Sequence, residues 1–178
     1  MKFENKPLPG GSSRSIDLLV PEIRDAAKKH LSLCSENGIV LLIYCTVRDE
    51  WEQARLFRQN RPLPLIEAKA VSLRKKGFPR LAEILMEVGP QGGDYGPRVT
   101  KAGPGESAHQ HAVAYDCVPL RFGKPVWGAS RPEDAKLWKK VQTLGVKAGL
   151  EILSWERPHF EVKGFNQNLL EYMRERYE

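Results

Sequence analysis

Ser107-Ala108-His109-Gln110-His111-Ala112-Val113-Ala114-Tyr115-Asp116 is the stretch on which the reading of this chain turns. It holds two of the four histidines, and Asp116 closes an otherwise apolar run. On an uninterrupted strand His109 and His111 would share a face and Asp116 would point the other way. For His109 and Asp116 to meet on one ion, the chain must turn between them. Ala112 to Asp116 is then the strand, with Ala112, Ala114 and Asp116 on one face and the small alanines leaving room beneath an ion. In that arrangement His111 faces away as a flanking residue.

The remaining histidines are His30 and His159, the latter within Glu156-Arg157-Pro158-His159-Phe160-Glu161. A catalytic zinc ion takes three protein ligands and leaves a position open. His109, Asp116 and His159 supply two imidazoles and a carboxylate for such a site. Pro158 restricts Arg157 to extended geometry and so sets the approach of His159. Glu156 and Glu161 flank that histidine, and either carboxylate is placed to act as a general base. The plainer alternative is a set of polar groups that hydrogen-bond around a turn.

Outward from these segments the chain alternates helical and extended patterns. Residues 17–37 carry Ile23, Ala26, Ala27, His30, Leu31 and Cys34 at helical spacing, with Pro21 near the start and Gly38 as the stop. His30 reads as a core-edge residue. Residues 38–47 form a nearly continuous apolar run, which predicts a strand covered on both faces. Arg48 ends that strand, where it can meet an anionic ligand or a neighbouring carboxylate. Asp49 and Glu52 have capping-box spacing for a helix to about Gln59. After Pro62 and Pro64, helices are expected over 65–76 and 78–88, then a glycine-rich loop at 89–97 that suits a substrate rim or lid. A turn falls near Gly123. Ser130 and Glu133 suggest a cap for the helix bearing Leu137, Val141, Leu144 and Ala148, which Gly149 ends. Short strands at 150–153 and 159–162 and a helix through Leu169, Leu170, Met173 and Tyr177 close the pattern. The mixed order predicts one α+β domain over 16–178, with a small antiparallel sheet flanked by helices and an irregular leader at 1–15.

A chain of 178 residues is ample for one core and short for two. Cys34, Cys45 and Cys117 lie far apart with no C-x-x-C pair, so they read as reduced, buried thiols. The formal charge of +6 fits a polyanionic partner or a solvated basic surface. Arg74-Lys75-Lys76 is the one dense basic cluster, and no basic helix or aromatic-basic platform supports nucleic-acid binding. No apolar run is long enough for membrane insertion, and the start lacks the apolar core of a signal peptide.

The pattern Ser107-x-His109-x-x-Ala112-x-Ala114-x-Asp116 resembles the S-x-H-x-x-G-x-A-x-D signature of zinc peptidases related to the D-alanyl-D-alanine carboxypeptidases. It is most similar to the L-alanyl-D-glutamate endopeptidases of phage endolysins and bacterial wall hydrolases. Glu156-x-Pro158-His159-Phe160 resembles their second motif, Arg98 to Ala102 the lead-in to the first, and Thr46 to Gln53 their arginine–glutamine element. The likeness runs from about Ile16 to Val162. It implies the Hedgehog/D-Ala-D-Ala-peptidase fold, Zn2+ on His109, Asp116 and His159, and Glu156 as catalytic base. Arg48 would polarise the scissile carbonyl or bind a carboxylate, and Gln53 and Ser107 would help hold substrate. The implied partner is peptidoglycan, met by a monomer made in the host cytoplasm and released to the wall through a holin. A D-alanyl-D-alanine carboxypeptidase or dipeptidase, and a non-catalytic wall-binding domain, are the alternatives. Three departures stand out. Ala112 replaces glycine, which costs nothing if the backbone there is not left-handed. The stretch before Glu156 is short and lacks W-G-G. Residues 60–97 are longer than in the family.

Overall fold

The computed structural model describes residues 11–88 and 96–178. Most of the leader and of the glycine-rich loop therefore lies outside the described residues, and the lid expectation lies there with it. At the leader's end, Ser12 forms an isolated antiparallel bridge with Arg48.

Four strands make an antiparallel path in the order β1 (Val40–Cys45), β2 (Ala114–Arg121), β5 (Glu156–Glu161) and β4 (Glu151–Leu153). The short β3 (Lys124–Pro125) pairs with β2. Helices α1 (Pro21–Glu36) and α5 (Pro132–Ala148) pack on one another and on the sheet. Tyr115 and Phe160 pair across β2 and β5 and point toward these helices, where His30 meets them from α1. A Cβ at Gly145 of α5 would fall 2.5 Å from Phe160, so the missing side chain is what lets α5 lie this close to β5. His30 is fully buried, with Nδ1 2.6 Å from the Tyr115 hydroxyl and Nε2 3.0 Å from the Val141 carbonyl. Burial pulls its pKa down to about 4, so it is a neutral core histidine.

A second apolar cluster joins α2 (Glu50–Arg58), α3 (Leu63–Lys75), α4 (Pro79–Glu87) and Met173 of α6 (Leu169–Tyr177). Within the long 60–97 stretch, α3 and α4 form a helical hairpin packed in this cluster. The result is an α+β domain built on a small antiparallel sheet flanked by helices, as the sequence pattern implies.

Several local expectations change. The β1 strand is not covered on both faces: Leu41 and Ile43 pack into the core, while Val40 and Leu42 are 62% and 39% exposed. It lies at the sheet's edge, and the helices of the main core cover only its inner face. Pro64 does not break the chain but sits in the first turn of α3, where no amide donor is needed. Ser130 does not cap α5; Arg131 holds the cap position and Pro132 begins the helix. Ala112 has φ 56 and ψ 29, so it is left-handed after all and lies before β2 rather than on its face.

Candidate metal centre and cleft

Three neighbouring strands bring the site together. In register, Asp116 of β2 stands opposite Cys45 of β1 on one side and His159 of β5 on the other. The β1 partner is Cys45 because a bulge at Tyr44 shifts the register by a residue. Cys45, Asp116 and His159 therefore share the sheet face away from α1 and α5.

His109 arrives from a 3-10 turn, Ala108–His111, that ends in the left-handed Ala112. The turn is held by Gln110, whose Oε1 accepts the Gly105 and Ser107 amides at 2.8 and 3.4 Å. The segment after β1 grips His109 from both sides. The Thr46 carbonyl lies 2.8 Å from its Nδ1, and the Arg48 amide donates to its carbonyl at 3.3 Å. His111 turns away, with Nε2 2.8 Å from the Gly105 carbonyl and its ring against Phe165, Tyr172 and Tyr177. Burial lowers its pKa to about 4, which fits a neutral structural residue.

Asp116 Oδ1 is 3.2 Å from His109 Nε2 and 3.1 Å from His159 Nδ1. Each imidazole is anchored through its other nitrogen: His109 by the Thr46 carbonyl, and His159 Nε2 by Glu161 Oε2 at 3.0 Å. Such outer partners set the tautomer of a metal-binding histidine and leave the inward nitrogen's lone pair free for the ion. Without a cation between them, those lone pairs would face a carboxylate oxygen and must be protonated instead. Burial opposes this, yet Asp116 overrides it and raises His109 to about 10; burial likewise opposes, and Asp116 and Glu161 override it to raise His159 to about 9. Asp116 itself is held far below the usual carboxylate range by the two imidazoles, against its burial. A divalent cation can replace the two protons at equal charge, so the donor set fits zinc.

Glu156 and Glu161 divide in the structure. Within β5 the pairs Leu153↔Glu156 and Ile152↔Phe160 leave Arg157, Pro158 and His159 with no partners on β4. That irregularity breaks the two-residue alternation. It brings an oxygen of Glu156 within 4.8 Å of ligand atoms of both Asp116 and His159 while keeping Glu156 exposed. Glu161 is buried behind His159, and its other oxygen accepts from Asn166 at 3.1 Å. It is bonded to the histidine, whereas Glu156 has no such bond among the described residues.

Cys45, Cys34 and Cys117 are free, buried thiols. Cys45 adds a donor that the sequence did not single out: with His109 and Asp116 it forms a second potential metal-binding group. Its Sγ lies 3.7 Å from His109 Nδ1 and 3.3 Å from Arg48 Nη2. Burial raises its pKa, but His109 and Arg48 outweigh that and draw it below its ordinary value. Only the strand register exposes this proximity.

The centre opens into a cleft of about 1020 Å³ whose lining includes Tyr44, Arg48, Ser107, Trp155 and Glu156. Arg48 Nη1 donates to Gln53 Oε1 at 2.9 Å. Gln53 is 0% exposed and donates to the Ala102 carbonyl at 2.8 Å, so it steadies Arg48 from behind rather than facing the cleft.

No family model matches the chain, and no curated protein matches it. Among solved structures it is similar to the LdcB LD-carboxypeptidase, whose structure is described as revealing the molecular basis of peptidoglycan recognition. The similarity covers 88% of this chain and 69% of that one, at 21% identity and a TM-score of 0.46.

Proposed function

We propose that the chain is a zinc peptidase that cuts a peptide bond in the stem peptide of peptidoglycan, the bond between L-alanine and D-glutamate. The reading rests on one observation above the others. A single carboxylate oxygen of Asp116 lies 3.2 and 3.1 Å from two imidazoles, each anchored behind, beside an open cleft. The sequence motifs supply the substrate class, and the cleft supplies the room.

His109 through Nε2, Asp116, and His159 through Nδ1 would hold the ion. Bound zinc supplies Lewis-acid polarisation and acidifies water toward neutral pH. Glu156 is solvent-accessible and close to the ligands, so its carboxylate takes a proton from the attacking water and returns one to the leaving amine. Arg48, braced by Gln53, presents its charge to the scissile carbonyl oxygen or a nearby carboxylate. Ser107, which lines the cleft, offers a hydroxyl to the substrate carboxylate. On this reading the protein is a monomeric endolysin, made in the host cytoplasm and reaching the wall after holin-type release.

The test is release of new amino termini from purified peptidoglycan, with and without a chelator, followed by mass spectrometry of the fragments. Cutting beside the sugar-linked alanine supports the proposal. Loss of a terminal alanine instead would make the protein a carboxypeptidase on the same scaffold. Digestion that survives complete metal removal would sink the mechanism.

A further inference from the structure

Arg48, Arg61, Arg98 and Lys101 all line the cleft. Among the described residues none of the four forms an ion pair with a carboxylate. Several arginines elsewhere are compensated: Arg55, Arg121, Arg131 and Arg176 each lie against an acid. The acids of the cleft are also engaged, Glu106 by Lys69 and Lys76, and Asp116 and Glu161 by the histidines. Glu156 is the exception.

The geometry of the uncompensated cations is built rather than incidental. Arg61 is 7% exposed and stacks over the Phe57 ring at 4.0 Å. Its guanidinium donates to the carbonyls of Phe57 and Thr100, neutral groups that fix it without cancelling its charge. Arg98 donates through Nε to the Asn60 carbonyl at 3.0 Å, and among the described residues its terminal amino groups have no hydrogen-bond partner. The two feet of the helical insertion are therefore clasped together, each bringing a guanidinium to the cleft. Burial lowers the Arg61 pKa and the nearby charge of Arg98 lowers it further, so the two cations repel one another. A bound anion relieves that repulsion, and a planar carboxylate matches the guanidinium fork.

We infer that Arg61, Arg98 and Lys101 form an anion subsite, distinct from the metal centre, that binds a carboxylate of an acidic peptide away from the bond being cut. The inference rests on the peptidase reading for its substrate class. It makes the insertion a specificity element that separates free-acid stem peptides from amidated ones.

The experiment measures binding of synthetic stem peptides, amidated one carboxylate at a time, to the zinc-loaded protein by calorimetry, alongside their cleavage. Arg98→Gln and Lys101→Gln are the variants, since both side chains are exposed and Arg61 keeps its own bonds to the Phe57 and Thr100 carbonyls. One amidation should weaken wild-type binding by roughly tenfold, and that preference should shrink to about twofold or less in the double variant. An amidation effect that persists in the double variant, or no effect in wild type, overturns the subsite. Selective binding without cleavage would retain the subsite and reject the peptidase reading. Cleavage without an Arg98-dependent preference would do the reverse.

Discussion

Replacing Glu161 by glutamine should weaken zinc binding while leaving the fold intact. Glu161 is buried and accepts from His159 Nε2 at 3.0 Å, so solvent does little to screen the bond. A hydrogen bond to a charged acceptor contributes about 1.5–3 kcal/mol and a neutral one about 0.5–1.5 kcal/mol. Glutamine keeps an oxygen for His159 but loses the charge, so the difference is about 1–1.5 kcal/mol, or roughly tenfold in metal affinity. Glu161→Ala removes the acceptor altogether and should approach a hundredfold loss. Competition against a chromophoric chelator measures both, with thermal melting of the metal-free proteins as the control for folding. The parallel variant is Glu156→Gln, which should bind zinc as wild type does and release no new amino termini. Wild-type affinity in Glu161→Gln, or loss of activity there with metal fully retained, would refute the division of labour between the two carboxylates.

His159→Ala should abolish stoichiometric zinc by elemental analysis, since it removes a ligand that Asp116 and Glu161 both orient. Apparent zinc affinity should rise about tenfold per pH unit for each proton displaced, and flatten above the range of about 9 to 10 where His159 and His109 lose their protons. The sign reverses for the metal-free chain. Raised histidine pKa values stabilise it fully below their ordinary 6.5, and that contribution disappears as pH climbs through about 9 to 10. The depressed Asp116 instead contributes above 3.8 and loses its effect in stronger acid. The gap in melting temperature between zinc-loaded and metal-free protein should therefore widen from pH 6.5 to 9; a constant gap would argue that the imidazoles do not bind the ion. Ala112→Gly should stabilise the protein by about 0.5–1 kcal/mol. A left-handed residue with a Cβ costs about 1–2 kcal/mol, and part of that is offset by the greater freedom of unfolded glycine. A rise in melting temperature of roughly 1–4 °C is expected, and a fall would contradict the observed backbone.

What the sequence determined by itself was mostly local. The helix of residues 21–36 ends at Asn37, just before Gly38, because only glycine settles easily into φ 70, and α2 starts behind Asp49 because its Oδ1 takes the Glu52 amide at 2.7 Å. The candidate donors were also legible, since few residue types can hold zinc and His109, Asp116 and His159 fall in a pattern that resembles a zinc-peptidase motif. Pairing and burial were decided elsewhere. That β1 leaves Val40 and Leu42 exposed depends on which helices cover it, a fact absent from its own composition. The places of Glu156 and Glu161 could not be separated by counting residues. A regular strand alternates, and it was the unpaired Arg157-Pro158-His159 step that left Glu156 exposed beside the donor atoms while Glu161 stays buried against His159 Nε2. Cys45 met Asp116 only through a bulge in a strand some seventy residues upstream in the numbering, and Arg61 met the cleft only because the insertion's feet close on each other. Spacing along the chain names the donors, but distances between strands decide what each of them touches.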